Sequence, residues 1–515
     1  MPAPIIEQQL SDFPQLAGAR SLWAAGRLAE ALDAFEQAIR TQPDNLKALL
    51  EAARAYGQYH HATRAQDLLD RAWSVASHDP RVAPLIAQSY ARCFREHIAI
   101  EKLEALSPGL PAPMLGELAV LYERVNRLSE ALQTIDACID VAPSAPEPRL
   151  VRARVLRRMG RLDDALAALG PLAEGPHVPA LRAEAWTELC YIHDSCDRHE
   201  AAVEAIEQAH AIMAAQPHTK DMLRRARANN AALTALSESW TSADLAGYRQ
   251  MPEPLPGGVA GAAHLIGFPR SGTTLLEQCL AAHPRLADSP ERVVFTRDIL
   301  PEMCRAGGGP ITPATLDAVP PGALAGARER YFSAMADALG QSLEGMVHLD
   351  KNPNHTALLP GLLRLLPESR LIVAIRDPRD VIVSCVLRSF RPTEFSAMLL
   401  QWGTACELYA VEMGAWLRYR PHLDEQTWVQ VRYEDTVTQT TAQTRRALQT
   451  LDLEWHEAML DYRDQAKHKL VNSPTQTEVR QPVYTRSVGR WRRYERYLKP
   501  HLPLLEPFIK AFGYD

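Results

Sequence analysis

The sequence predicts a multidomain chain: an all-α solenoid of helical repeats over residues 1–240, then an α/β domain with a parallel sheet over residues 263–515. Three observations predict it. A short helix-opening phrase recurs at a near-constant interval through the first half. The second half alternates short apolar runs with helical stretches. Between them, residues 241–262 (TSADLAGYRQMPEPLPGGVAGA) are rich in Pro and Gly, lack helical period and read as a linker.

The chain has 515 residues, with 46% apolar and 23% charged residues. That composition is ordinary for a globular protein and excludes wholesale disorder. At about 150 residues per domain, the length gives a prior of roughly three domains. A net charge of −6 argues against a dedicated nucleic-acid binder. No apolar run approaches the roughly 18 residues that would span a bilayer. The N-terminus meets Glu7 at once, with no Lys or Arg before a short apolar stretch, and does not read as a secretory signal. The eight cysteines are scattered and form no C-x-x-C pair, and no Cys/His cluster offers a metal site. A reducing, cytoplasmic setting is the expectation.

In the first half, GRLAEAL (Gly26–Leu32), NRLSEAL (Asn126–Leu132) and GRLDDAL (Gly160–Leu166) are copies of one phrase. HATRAQD (His61–Asp67), FREHIAI (Phe94–Ile100) and DRHEAAV (Asp197–Val203) are weaker copies. Their small residue falls at Ala31, Ala65, Ala99, Ala131, Ala165 and Ala202, with gaps of 34, 34, 32, 34 and 37. Ala38, Ala72 and Ala209 sit seven further on, and Pro43, Pro80, Pro143 and Pro217 close several units. Small residues at this period, where two helices touch, resemble the tetratricopeptide repeat, in about six units. Such arrays offer a concave face that usually takes extended peptide, so a protein or peptide partner is expected.

In the second half, the candidate strands are His264–Phe268, Met346–Leu349, Leu371–Ile375 and Trp428–Arg432. Each is followed by polar or glycine-bearing residues and a helical pattern, as in a parallel sheet with helices on its faces. Ligands bind such sheets beyond the carboxyl ends of the strands. The first run opens into Gly267-Phe-Pro-Arg-Ser-Gly-Thr-Thr274. This is the spacing of a phosphate-binding loop with Thr273 where Lys is expected. Loop amides and a helix N-terminus make an anion cradle there, with Arg270 to supply charge. A triphosphate hydrolase needs the missing Lys and a Mg²⁺; a donor with less charge does not. Leu371–Phe390 delivers Arg376 at a strand tip, with Ser384 and Arg388 on the next helix, able to clamp a second phosphate or, for Arg376-Asp377, to form a local ion pair. His348–His355 places Lys351 directly after a strand.

Together these segments resemble the sulfotransferase superfamily, most nearly its tyrosylprotein sulfotransferase branch, over roughly residues 262–515. The resemblance implies transfer of a sulfuryl group from 3′-phosphoadenylyl sulfate to a hydroxyl such as protein tyrosine, leaving adenosine 3′,5′-bisphosphate, without a metal. It implies donor binding by Arg270, Ser271, Gly272, Thr273, Thr274, Arg376, Ser384, Arg388 and Tyr433, the last standing in the family's late Tyr-Glu. Ala282-His283-Pro284 followed by Glu291 matches the branch's catalytic Glu, and Lys351 its catalytic Lys. The segment Asp288-Ser-Pro-Glu291 lacks the branch's double Glu, so Asp288 is a second candidate base. Gln481 stands where a Lys is expected, beside Arg480, and Ser473 is a candidate stabilising hydroxyl.

The chemistry asks for the same residue types. In-line transfer through a loose transition state needs a base for the acceptor proton, cations on the equatorial oxygens and help for the leaving oxygen. Glu291 fits the first role, Arg270 with Thr273 and Thr274 the second, and Lys351 the third. His355 is a further candidate base. In Arg480–Lys499, Trp491, Tyr494 and Tyr497 read as a packed stripe, with Arg486 or Arg490 able to close over a phosphate. Ala306–Gly322 reads as a surface insertion. The alternative functions are a catalytically silent nucleotide-binding scaffold and a P-loop kinase or hydrolase.

Overall fold

The computed structural model describes residues 10–461 and 485–514, apart from 26, 59, 60, 78, 80, 94, 108, 250–253 and 391. Ser473, Arg480 and Gln481 lie outside the described residues. Two compact units divide the chain: Met1–Leu172 with Ala334–Gln341, and Ala173–Ser333 with Ser342–Asp515.

The first unit is a run of helical hairpins, among them Leu46–Gln58 with Ala62–Ala76 and Ala112–Arg124 with Leu128–Val141. The phrase alanines do what the period predicts. Ala31, Ala65, Ala99, Ala131 and Ala165 are wholly buried, as are Ala38 and Ala72. A side chain no larger than a methyl lets one helix close on its neighbour, so the period repeats the tightest contact. Polar groups tie successive hairpins: Arg64 to Glu36 at 2.8 Å, and Tyr90 Oη to Asp70 at 2.6 Å.

The second unit begins earlier than the expected boundary at residue 240. The hairpin Pro179–Ser195 with His199–Ala214, and the long helix Pro217–Ser239, belong to it. Ala202 and Ala209 are wholly buried here too. The physical reason is packing of Pro217–Ser239 against the helices Glu394–Met398 and Trp402–Tyr419 of the α/β half, with exposed pairs at the rim: Arg225 meets Glu394 at 2.8 Å and Glu238 meets Arg418 at 3.1 Å. The expected linker is also partly a packed helix, Ser242–Arg249. Leu245 and Tyr248 are buried, and the Tyr248 hydroxyl donates to Asp317 at 2.9 Å. Eight residues between Gly/Pro-rich flanks are too few for a legible period. Ala306–Gly322 is likewise no open loop. It holds the helix Pro313–Asp317, capped by the Thr312 side chain, with Leu316 and Val319 buried.

The sheet is parallel throughout: β1 (Gly261–Gly267), β2 (Leu286–Pro290), β3 (Val347–Lys351), β4 (Arg370–Ile375) and β5 (Trp428–Arg432), in the order β2-β3-β1-β4-β5. Four strands stand where the apolar runs predict them. β2 is additional; only Leu286 and Ala287 are apolar in it, so no run announces it. From β1 the chain moves out to β2, returns to β3, and crosses β1 to β4. The centre of the sheet is therefore the reversal point, where open α/β sheets hold ligands. The core between sheet and helices includes Leu265, Leu276, Leu280, Leu349, Ile372 and Leu448.

Candidate active site

Every strand ends in a residue of interest, on one edge. β1 opens into the loop 268–272, β2 is followed by Glu291, β3 ends in Lys351, and β4 and β5 are followed by Arg376 and Tyr433. Parallel register turns residues far apart in sequence into neighbours.

The loop is held by backbone shape. Arg270 and Gly272 have φ of 73° and 93°. A Cβ on Gly272 would lie 2.6 Å from Tyr433 Cδ2, so only glycine fits. Gly267 packs against the Ala374 carbonyl, and its amide and carbonyl both bond the Thr356 hydroxyl, at 3.1 and 2.6 Å. The helix Thr273–Ala281 then starts at Gly272 without a side-chain cap, leaving its first amides facing the loop. Ser271, Thr273 and Thr274 are buried around them.

The segment after β4 joins this loop. Arg270 Nε donates to Ser384 Oγ at 2.9 Å, and Arg376 Nη1 donates to the Arg270 carbonyl at 3.2 Å. Arg376 is 4% exposed, lies over the Tyr433 ring at 4.6 Å, and has a buried Nε with no hydrogen-bond partner. A desolvated guanidinium with an unused N–H is costly unless an anion completes it. Asp377 is no partner of Arg376. It is taken by Arg379, through bonds of 2.9 and 2.8 Å. Arg388 lies over the Tyr191 ring at 5.2 Å.

Lys351 is 1% exposed. Its Nζ is 2.7 Å from Glu291 Oε1 and 3.4 Å from Glu277 Oε2. Burial works against its charge, but the two carboxylates outweigh it and raise its pKa above the usual lysine value. Glu291 has φ of 49°, donates its backbone amide to the Lys351 carbonyl at 2.7 Å, and has a side chain 45% exposed. It is the carboxylate of the cluster that solvent reaches. Asp288, the other candidate, lies within β2 and is buried. His355 is wholly buried, neither ring nitrogen has a hydrogen-bond partner although the Asp350 carboxylate lies 3.8 Å from Nδ1, and burial pushes its pKa down to about 3. Glu277 was missed by sequence reasoning. It sits in an apolar helix, where a single acid carries no signal until the fold brings Lys351 to it.

The C-terminal aromatics pack as a stripe reading expects. Trp491 and Tyr494 are buried, and Tyr497 stacks on Trp402 at 5.8 Å. Arg490 pairs with Asp194 at 2.8 Å.

Residues 264–457 match the sulfotransferase family, and residues 22–89 and 117–179 match tetratricopeptide-repeat families. An uncharacterised protein of Aquifex aeolicus (strain VF5) is 26% identical over 254 residues, 48% of this chain and 32% of that protein's length. Protein-tyrosine sulfotransferase 1 of Danio rerio is 23% identical over 264 residues, 48% of this chain and 71% of that protein. The sulfotransferase domain from the Synechococcus PCC 7002 olefin synthase aligns with a TM-score of 0.35 at 20% identity, covering 52% of this chain and 99% of that one. No described helix is long and apolar enough to cross a membrane. The chain is thus similar to the sulfotransferase family over residues 264–457 and to tetratricopeptide repeats over two segments of its helical half.

Proposed function

We propose that the domain transfers a sulfuryl group from 3′-phosphoadenylyl sulfate to a hydroxyl, with tyrosine in a peptide or protein as the acceptor class. The observation that carries the reading is the buried cation Lys351 paired with the half-exposed Glu291, one strand away from an anion loop that has Thr273 in place of Lys. The donor's two anionic ends suit the two linked segments. Loop amides with Arg270, Ser271, Gly272, Thr273 and Thr274 take the 5′-phosphosulfate, and Arg376 with Ser384, Arg388 and Tyr433 takes the 3′-phosphate side.

Glu291 accepts the acceptor's proton as its oxygen bonds to sulfur, and the bond from sulfur to the 5′-phosphate oxygen breaks. That oxygen leaves on adenosine 3′,5′-bisphosphate, with Lys351 donating a hydrogen bond to it. In the free protein Lys351 holds Glu291; turning Nζ toward the leaving oxygen frees the carboxylate to act as base. Glu277, behind Lys351, keeps the ammonium charged through that exchange. The Arg270 guanidinium and the helix amides face the charge that spreads over the sulfuryl oxygens. The repeats serve as the platform for the protein that brings the acceptor.

The test is calorimetric binding of adenosine 3′,5′-bisphosphate beside ADP, with and without Mg²⁺, followed by transfer of labelled sulfate to a tyrosine peptide, a small phenol, a sugar and a lipid. Tenfold tighter binding of the bisphosphate without metal, and label on the peptide, are expected. Equal binding of ADP refutes the donor; label on the small molecules alone refutes the acceptor.

A further inference from the structure

The arginine-rich C-terminal segment is held by the last hairpin of the helical half, in strict register. Arg490 pairs with Asp194 at 2.8 Å, Arg493 with Asp197 at 3.0 Å and Arg496 with Glu200 at 2.6 Å. Three cations spaced by three residues meet three acids spaced by three. The outer two pairs are exposed, so each contributes little. Asp194 differs. Its second oxygen accepts from the Tyr494 hydroxyl at 2.5 Å, and Tyr494 is wholly buried.

The same segment reaches the anion site. Just before Arg490, the Ser487 carbonyl accepts from Arg376 Nη2 at 2.5 Å. The Gly489 and Trp491 amides donate to the two oxygens of buried Asp380, each at 2.7 Å. Trp491 lies under the Arg379 guanidinium at 3.9 Å. Arg376 is thus oriented in part by a carbonyl whose own position is fixed from Asp380 on one side and Asp194 on the other. Three residues before Asp194, Tyr191 lies beneath Arg388, and its hydroxyl accepts from the Ser389 amide at 2.9 Å. One helical turn therefore supports both flanks of the segment after β4.

We infer that Asp194 is a positioning residue for the 3′-phosphate site, so that the last helical hairpin is a working part of donor binding rather than a detachable platform. The inference rests on the donor reading above. It predicts a loss concentrated on the 3′-phosphate, because Ser487 and Tyr191 contact the segment after β4 directly, whereas the loop that takes the 5′ end is reached at one remove, through Arg270.

The experiment titrates the full-length chain with adenosine 3′,5′-bisphosphate and with 5′-AMP. Asp194→Ala loses at least tenfold in affinity for the bisphosphate and less than threefold for 5′-AMP. Arg490→Ala does the same, and the double variant loses no more than either single one, because one linkage is broken twice. Glu200→Gln, at an exposed outer pair, binds like wild type. Equal losses for both nucleotides mean general loosening and overturn the inference, as does an Asp194→Ala chain that keeps the wild-type preference. A loss in Arg490→Ala without one in Asp194→Ala also overturns it, since Arg490 then acts on the phosphate directly. A wild-type chain with no preference for the 3′-phosphate overturns the donor reading and this inference together.

Discussion

Glu277→Gln removes one of the two carboxylates around Lys351 and leaves the shape of the site unchanged. At 3.4 Å, and with an effective dielectric constant near 20, the gross attraction is about 5 kcal/mol. Breaking one partner of a buried pair costs about 3–5 kcal/mol, and the low end applies because Glu291 remains. About 3 kcal/mol corresponds to a melting temperature roughly 4 °C lower for a unit of this size. The same energy sets the pH dependence. Lys351 has a raised pKa in the fold, so its contribution is complete below the unfolded lysine value of about 10.4 and is lost as pH rises through the folded value. Without Glu277 the burial penalty is less opposed, and Lys351 loses its proton at lower pH. The assay is the pH profile of kcat/KM for sulfuryl transfer, with thermal melts at matched pH. The alkaline limb should move to lower pH in the variant, and bisphosphate binding should be unchanged at neutral pH. Superimposable profiles and melts would refute the coupling of Glu277 to Lys351.

Four further outcomes are expected. Glu291→Gln lowers kcat by about 10²–10⁴-fold, the range of a general base, and leaves calorimetric donor affinity intact; an unchanged kcat returns the base role to Asp288. Arg376→Ala abolishes the preference for adenosine 3′,5′-bisphosphate over ADP, a difference of about 1.4 kcal/mol or more, read by calorimetry. Gly272→Ala, with its Cβ 2.6 Å from the Tyr433 ring and φ at 93°, costs about 1–3 kcal/mol of strain and weakens donor binding while circular dichroism stays native. Asp350 is wholly buried and accepts from the Tyr331 hydroxyl at 2.8 Å; burial raises its pKa to about 7. The folded chain therefore keeps a proton that the unfolded chain gives up near pH 4, and stability from this group falls between about pH 4 and 7. The melting temperature of Asp350→Asn relative to wild type should rise across that interval; a constant difference would refute it.

What proved legible in the sequence is what is local or periodic. The interval near 34 marks the residues that must be small, because helix contact forbids anything larger, and those alanines are buried. The loop Gly267–Thr274 was readable because its backbone shape and the helix start are both written into eight consecutive residues. Arg376 and Lys351 were readable because each follows an apolar strand. β2 was not, since burial on a sheet edge beside β3 needs only Leu286 and Ala287 to be apolar.

The sequence by itself determined the local chemistry: the repeat period, four of the five strands, the glycine-bearing loop after β1, and which cations and carboxylates stand at strand ends. Only the tertiary structure decided their pairing. Parallel register set Lys351 between Glu277 and Glu291, left Asp288 inside a strand, and buried His355 away from solvent. It also took Arg490 to Asp194, across nearly three hundred residues of sequence. The reason is that spacing along a chain fixes neighbours only within one helix or strand, whereas the environment that charges, buries or frees a side chain is assembled from elements distant in sequence.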